Sequence, residues 1–467
     1  MRQRQRVRHL FAFAVFIILA SLDNAAAGVL PPLYAIIARD LQASDAALGS
    51  VTAVYLLIVA AAAVFWGYRG DQAKRKPLLF WGTLVWVVAM FLTTLAQNFA
   101  HFLIFQMITA VGVGGISSLG FSVVSDLVPA RRRGLALSLW SVSQGIGASF
   151  GALLAGTVGA FDWRYPFWTI AAIGLLFALL FLLTREPLRG RAEPELEPIF
   201  AQGKQYNFRI SRSDIKLILQ QASNRWLLLQ SFFYALAYGS TVWIPRWAIA
   251  RVQAEGYDLE TATIVGNLII ALLSLGGFTA VLSGLLGDWW ELRSSQARVR
   301  LAMIGIVVSA PLYVWLYFIP FRGISLPETA NFATLGLAVL RELLTNGWVI
   351  LAFVVAFTAV SFQSANPPQW AAMLTDVNLP EHRGTVIGLS RIFREVGNAT
   401  SVWLAGWLFA WLNGRLPQPT NYAVGLSLFQ IMVIPALICY LILQKHIASD
   451  KQATIATLTR RAQGNEN

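Results

Sequence analysis

Charge is scarce in this sequence, and so are the residues of thiol and metal chemistry. Only 13% of its 467 residues are Asp, Glu, Lys or Arg, about half of the roughly 25% found in a soluble globular chain. Water is therefore not its main solvent. The one cysteine, Cys439, excludes an intramolecular disulfide, and its place in an apolar run marks it as a small packing residue. The four histidines, His9, His101, His382 and His446, fall near the ends of apolar runs, so no metal site and no cofactor is expected. A Cys/His pair, a Ser/His/Asp set and a metal-ligand spacing are all missing at membrane depth, which sets an enzyme aside.

What the chain has in quantity is apolar sequence, 57% of all residues. Runs of about 20 apolar residues, enough to cross a roughly 30 Å hydrocarbon core, recur twelve times. They fall near 9–38, 45–68, 77–97, 101–125, 134–160, 164–184, 224–250, 261–287, 299–320, 346–373, 385–412 and 422–444. Segments facing lipid must satisfy their own backbone, which helices do and open strands do not. The short alternating strands of a barrel are missing, so an all-α integral membrane fold is predicted. Arg2, Arg4, Arg6 and Arg8 before an apolar stretch, with Ala25 to Ala27 behind it, imitate a secretory signal. The run resumes at Gly28 and continues to Ile37, too long for a signal core, so it reads as the first membrane helix.

A net charge of +13 suggests nucleic acid until the basic residues are placed by side. Alternating sides at each span puts 27 of the 36 Lys and Arg on the side of the termini, seven on the other, and two inside a span. Cytoplasmic loops are enriched in Lys and Arg. The expectation is a multi-pass protein of the cell membrane with both termini cytoplasmic, surrounded by membrane lipids, monomeric and without a nucleic-acid partner.

The chain divides into two similar halves, 1–184 and 224–467, joined by a polar cytoplasmic linker at 185–223. Pro187, Pro194 and Pro198 stand among charges there, and an amphipathic stretch from Ser211 to Asn224 reads as a helix on the membrane surface. Weak internal repetition at matching positions is how duplicated transporters show themselves. Gly67-Tyr-Arg-Gly-Asp71 follows the second span and Gly284-Leu-Leu-Gly-Asp288 the eighth. Asp126 to Gly134 follows the fourth and Asp376 to Gly384 the tenth, with the same Asp-to-Gly spacing.

These loops resemble the signature of the major facilitator superfamily, Gly-x-x-x-Asp-Arg-x-Gly-Arg-Lys. Here it reads Gly67-Tyr-Arg-Gly-Asp71-Gln-Ala-Lys-Arg75-Lys76, with Gln72 and Lys74 as departures. The resemblance implies twelve helices in two six-helix bundles that transport by alternating access. Asp71, Arg75, Lys76, Asp126 and Arg133 would form a cytoplasmic gate in the first half, and Asp288 with Arg383 a weaker one in the second. Gly145, Gly147, Gly151 and Gly156 in the fifth span permit close helix approach and suit a sliding surface between the halves.

Charges inside the spans are costly and therefore candidates for function. Four qualify: Asp23, Arg391, Arg394 and Glu395. Asp23 lies about fourteen residues into its span, roughly 21 Å at 1.5 Å per residue, just before Gly28 and Pro31-Pro32. A buried carboxylate there is a candidate proton carrier. Arg391 shares a helix side with Arg394 and Glu395. This net positive cluster suits an anionic headgroup or carboxylate, against the plainer reading of a structural ion pair.

Within the superfamily the chain resembles the Spinster-type branch, which carries lysophospholipids and sphingolipid-derived lipids. The residues behind this are Leu22-Asp23-Asn24, Gly28-Val29-Leu30-Pro31, Gly112-Val-Gly114 with Ser117 and Ser118, Asp126-Leu127 and Trp243-Ile-Pro245. Asn24, Gln106 and Val113 stand where that branch has Arg, Arg and Glu. Of that polar set only Asp23 remains. Gln363, Asn366, Gln369, Tyr234 and Tyr238 add polar points to an aromatic lining that suits an amphipathic ligand. The predicted cargo is an amphipathic anion such as a lysophospholipid, with protons as the coupled ion. The competing readings are a carrier of small organic anions or drugs and a non-transporting receptor or scaffold.

Overall fold

The computed structural model describes residues 2–72, 75–127, 133–184, 216, 218–327, 332–378 and 383–462. The regular elements among them are helical. In chain order the first seven are α1 (Arg2–Gly28), α2 (Tyr34–Asp40), α3 (Asp45–Gln72), α4 (Arg75–Thr94), α5 (Phe99–Leu127), α6 (Arg133–Thr157) and α7 (Arg164–Leu182). Then come α8 (Ala222–Tyr238), α9 (Ile244–Gln253), α10 (Leu259–Leu273), α11 (Ala280–Glu291), α12 (Ala297–Phe318) and α13 (Phe332–Thr345). The last five are α14 (Gly347–Gln363), α15 (Asn366–Asp376), α16 (Arg383–Asn413), α17 (Thr420–Phe429) and α18 (Val433–Ala462).

Among the described residues, nine helical stretches are long and apolar enough to cross a membrane. The other three expected spans are occupied by α5, α6 and α16, of 29, 25 and 31 residues. Several spans are two helices in series, and their interruptions follow from local sequence. Gly28 ends α1 and Pro31-Pro32 opens a 3₁₀ turn before α2. Pro245 sits at the start of α9, and Pro367 with Pro368 at the start of α15. Proline has no N–H to donate and fits the first turn of a helix better than its interior.

Contacts divide the chain into two compact units, Met1–Phe208 with Asp258–Asn267 and Arg209–Tyr257 with Leu268–Asn467. In the first, α1 packs on α6 and α7, α3 on α5, and α4 on α5 and α7. A Cβ on Gly147 would stand 1.9 Å from the Ser21 carbonyl oxygen, and one on Gly151 2.2 Å from that of Ala25. These two fifth-span glycines therefore serve contact with the first span inside their own unit. Gly145 has open space around it. In the second unit, α8 packs on α16 and α18, and α12 on α14, α15, α17 and α18.

Two features differ from the sequence reading. Helical structure begins at Arg2, well before the apolar run. The loop expected between the ninth and tenth spans contains α13, which buries Leu335 and Val339 and leaves Leu337, Leu340 and Leu344 exposed. Asn346 follows it and caps α14, its side chain accepting from the backbone N–H groups of Trp348 and Val349. Of the expected linker, residues 185–215 and 217 lie outside the described residues.

Candidate functional site

Asp23 is held on α1 midway between Ser21 and Ala25, whose carbonyls touch Gly147 and Gly151. Ser21 adds a hydrogen bond of 2.8 Å to the Ser143 carbonyl oxygen. The carboxylate is thus fixed to a closely packed helix pair. It is 2% exposed, and its Oδ1 has no hydrogen-bond partner. Asn24 beside it is half-buried. Tyr55 on α3 lies within electrostatic reach of Asp23, and its buried hydroxyl also lacks a partner. Gln106 is taken up by Thr93, with Nε2 3.3 Å from the threonine hydroxyl. Sequence reasoning missed Tyr55, one tyrosine among twelve.

In the second unit the predicted polar residues gather at helix interruptions. Tyr238 ends α8, and its hydroxyl is 2.6 Å from that of Ser309 on α12. Tyr234 packs at a tilt against Tyr238, with ring centroids 4.7 Å apart, and donates to the Gln363 carbonyl oxygen at 3.4 Å. Tyr313 donates to Gln363 Oε1, and Tyr440 to Asn366 Oδ1. Gln369 Nε2 donates 2.7 Å to the Ser283 carbonyl oxygen, and the Ser283 hydroxyl donates to that of Ala365 at 3.3 Å. Where a span is broken, its freed carbonyls need donors, because lipid supplies none. Much of this array therefore completes the backbone. Ser309, Tyr313, Tyr440 and Ser283 were not singled out from sequence. Tyr313 and Tyr317 repeat the four-residue spacing of Tyr234 and Tyr238, but aromatics are common enough in membrane helices to hide such a pattern.

The charged cluster on α16 separates into two parts. Arg394 Nε lies 3.6 Å from Glu395 Oε1, and Asn398 Nδ2 donates to Glu395 Oε2 at 3.3 Å. Arg391 stays within electrostatic reach of both neighbours while its buried Nε has no partner. Half of the Arg394 side chain is exposed, against 14% for Glu395. The cluster thus presents more positive charge than it neutralises.

The profile of the Major Facilitator Superfamily matches residues 12–339. The chain belongs to this superfamily. It is a multi-pass membrane transporter. Multidrug resistance protein MdtL of Salmonella typhimurium (strain LT2) is 27% identical over 334 residues, covering 62% of this chain and 82% of MdtL. Protein spinster homolog 3 of Danio rerio is 26% identical over 340 residues, 68% of this chain and 64% of that protein. The crystal structure of a bacterial homologue of the human lysosomal transporter Spinster, inward-facing and unoccupied, superimposes with a TM-score of 0.74. Its identity is 18%, over 95% of this chain and 98% of that one. A D-xylose-proton symporter gives a TM-score of 0.63 at 16% identity, over 94% and 97% of the two chains.

The superfamily loops are described only in part. Asp71 lies in α3, Arg75 opens α4, Asp126 lies in α5, Arg133 opens α6 and Arg383 opens α16; the side chains of these five lie outside the described residues. Lys76 donates 2.7 Å to the Leu182 carbonyl oxygen and also to that of Thr184. A cation is thereby placed on the C-terminal end of α7, where it is favoured. Asp288, expected to act with Arg383, receives a 2.9 Å ion pair from Arg298 on the next helix. Lys451 of α18 bridges Glu291 at 2.8 Å and Asp376 at 3.0 Å. The Asp376 loop of the repeat is therefore tied to the Asp288 loop by a lysine that the motif does not contain.

Proposed function

We propose that this transporter moves an amphipathic anion, such as a lysophospholipid, by alternating access, and that Asp23 couples the movement to protons. The supporting observation is one of charge: Asp23 is buried with an unpartnered oxygen, while Arg391 and Arg394 outnumber Glu395 on α16. A buried carboxylate that no cation neutralises is expensive in lipid and is kept where a proton can answer it. Unneutralised guanidinium charge suits a phosphate or carboxylate. Tyr234, Tyr238, Gln363 and Asn366 are spent largely on one another and on broken backbone, so they shape the apolar lining rather than carry the charge of the cargo. The proposed organisation is 1–184, linker 185–223 and 224–467, monomeric in the cell membrane, with both termini cytoplasmic and the Asp71 and Asp288 loops on that side.

A second reading, export of a drug or small organic anion, is favoured by the comparable identity to MdtL. Purified protein reconstituted in liposomes decides between them, with labelled lysophospholipids and small organic anions offered with and without a proton gradient. Gradient-dependent flux of the lysolipid is expected. Flux of small anions alone would overturn the lipid cargo, and lysolipid flux indifferent to the gradient would overturn coupling.

A further inference from the structure

A second cluster of cationic side chains lies in the second unit, apart from α16. At the ends of α9, α12 and α14 opens a cavity of about 430 Å³ whose lining includes Arg251, Arg322, Trp315, Phe318, Trp348 and Leu351. This falls within the roughly 300 to 1,000 Å³ range of ligand pockets. Two arginines line it and no carboxylate does. Arg251 is fixed by donating to the Tyr317 carbonyl oxygen and by lying 5.9 Å from the Trp247 ring centroid, yet its buried Nε has no hydrogen bond. Arg322 is exposed on the loop after α12, and its carbonyl oxygen accepts from Asn346 Nδ2 at 3.1 Å. Among the described residues neither guanidinium has an ion pair.

The walls of this cavity are those of a lipid surface. Trp315, Phe318 and Trp348 are 52%, 46% and 41% exposed, and tryptophan is enriched at headgroup depth. The helix α13, which packs on α14, turns Leu337, Leu340 and Leu344 outward, as a helix lying in the plane of the interface does. We propose that the cavity binds the headgroup of an anionic phospholipid of the surrounding leaflet. Arg251 and Arg322 hold the phosphate, and an acyl chain runs along Trp315, Phe318 and Leu351. An inorganic ion would leave the aromatic wall uncovered, and a zwitterionic headgroup would bring a cation to a site that already holds two. The site is independent of the cargo, so it stands whichever substrate is carried.

The test is thermal unfolding of the full-length protein in a neutral detergent, titrated with phosphatidylglycerol, phosphatidylcholine or inorganic phosphate. Phosphatidylglycerol is expected to raise the melting temperature most and phosphate alone not at all. Because Arg251 also holds a backbone carbonyl, Arg322→Gln is the deciding variant, and it should weaken the phosphatidylglycerol response roughly tenfold. Arg341→Gln removes the same charge from exposed α13 outside the cavity and should leave the response intact. Equal losses in the two variants, an equal response to phosphatidylcholine, or stabilisation by phosphate alone would each overturn the site.

Discussion

Among the described residues, one of the six spans of the first half is interrupted, at Gly28 to Leu33, whereas four of six are interrupted in the second. The two halves then spend their polar side chains differently. In the second, Tyr234, Tyr313, Ser283 and Gln369 go to carbonyls and amides near the breaks. In the first, α1 and α6 approach within a glycine's reach, and the carboxylate of Asp23 is left with an oxygen that nothing answers, whereas the unanswered charge on α16 in the second is the guanidinium of Arg391. A buried polar group that closes a helix break stabilises the fold. One that closes nothing is a candidate for work.

The sharpest way to break this contrast is to neutralise the unanswered charges. Asp23→Asn is expected to abolish gradient-driven accumulation and the pH dependence of flux in proteoliposomes, while ligand binding measured by thermal shift persists. Arg391→Gln should do the converse, weakening binding of an anionic amphiphile about tenfold, the loss of one charge-assisted contact, with pH dependence retained. If both variants lose binding together, the division of labour between the halves is wrong.

Next in size is the packing of the first half. A leucine at Gly147 would press on the backbone at Ser21, which cannot rotate aside, so Gly147→Leu should cost about 3 kcal/mol or more and sharply lower the yield of folded protein. Gly145→Leu, pointing into open space, should be nearly silent. Equal effects would mean that the helix approach is not what these glycines serve.

The contrast also explains what the sequence could reveal. Twelve spans and the burial of Asp23 were legible because lipid sets a minimum length for a helix and a high cost on a charge. Twenty apolar residues or one buried carboxylate therefore stand out locally. The helix α13 did not stand out, since fourteen residues are too short to span and Thr334, Arg341, Glu342 and Thr345 interrupt its apolar run. The pairs Tyr238 with Ser309 and Tyr440 with Asn366 were beyond reach, because the partners are 71 and 74 residues apart and meet only after the spans have packed. The same holds for Lys451, which completes the repeated loops from outside either motif.

A smaller effect is expected from the second half's array. Tyr313→Phe removes the donor to Gln363 Oε1 and should lower stability by about 1 kcal/mol, the scale of single interhelical hydrogen bonds in membranes, with transport otherwise normal. A transport defect beyond the loss of stability would move Tyr313 from the scaffold to the site.

The smallest effect lies outside the membrane, at the start of α10. Asp258 accepts there from the backbone N–H groups of Glu260 and Thr261 at 3.0 and 3.3 Å. The Thr261 hydroxyl and these N–H groups hold its carboxyl below the ordinary carboxylate value. A folded-state pKa that is depressed adds stability above the unfolded value near 3.9, and that stability is lost as pH falls through the lower, folded value. Asparagine caps almost as well as aspartate, so Asp258→Asn removes only the charge facing the helix N-terminus, about 0.5 kcal/mol at low ionic strength. The difference in melting temperature between wild type and variant should therefore be small at pH 7, shrink with added salt, and close in acid. A difference that persists at low pH would mean that the aspartate acts through its shape and not its charge.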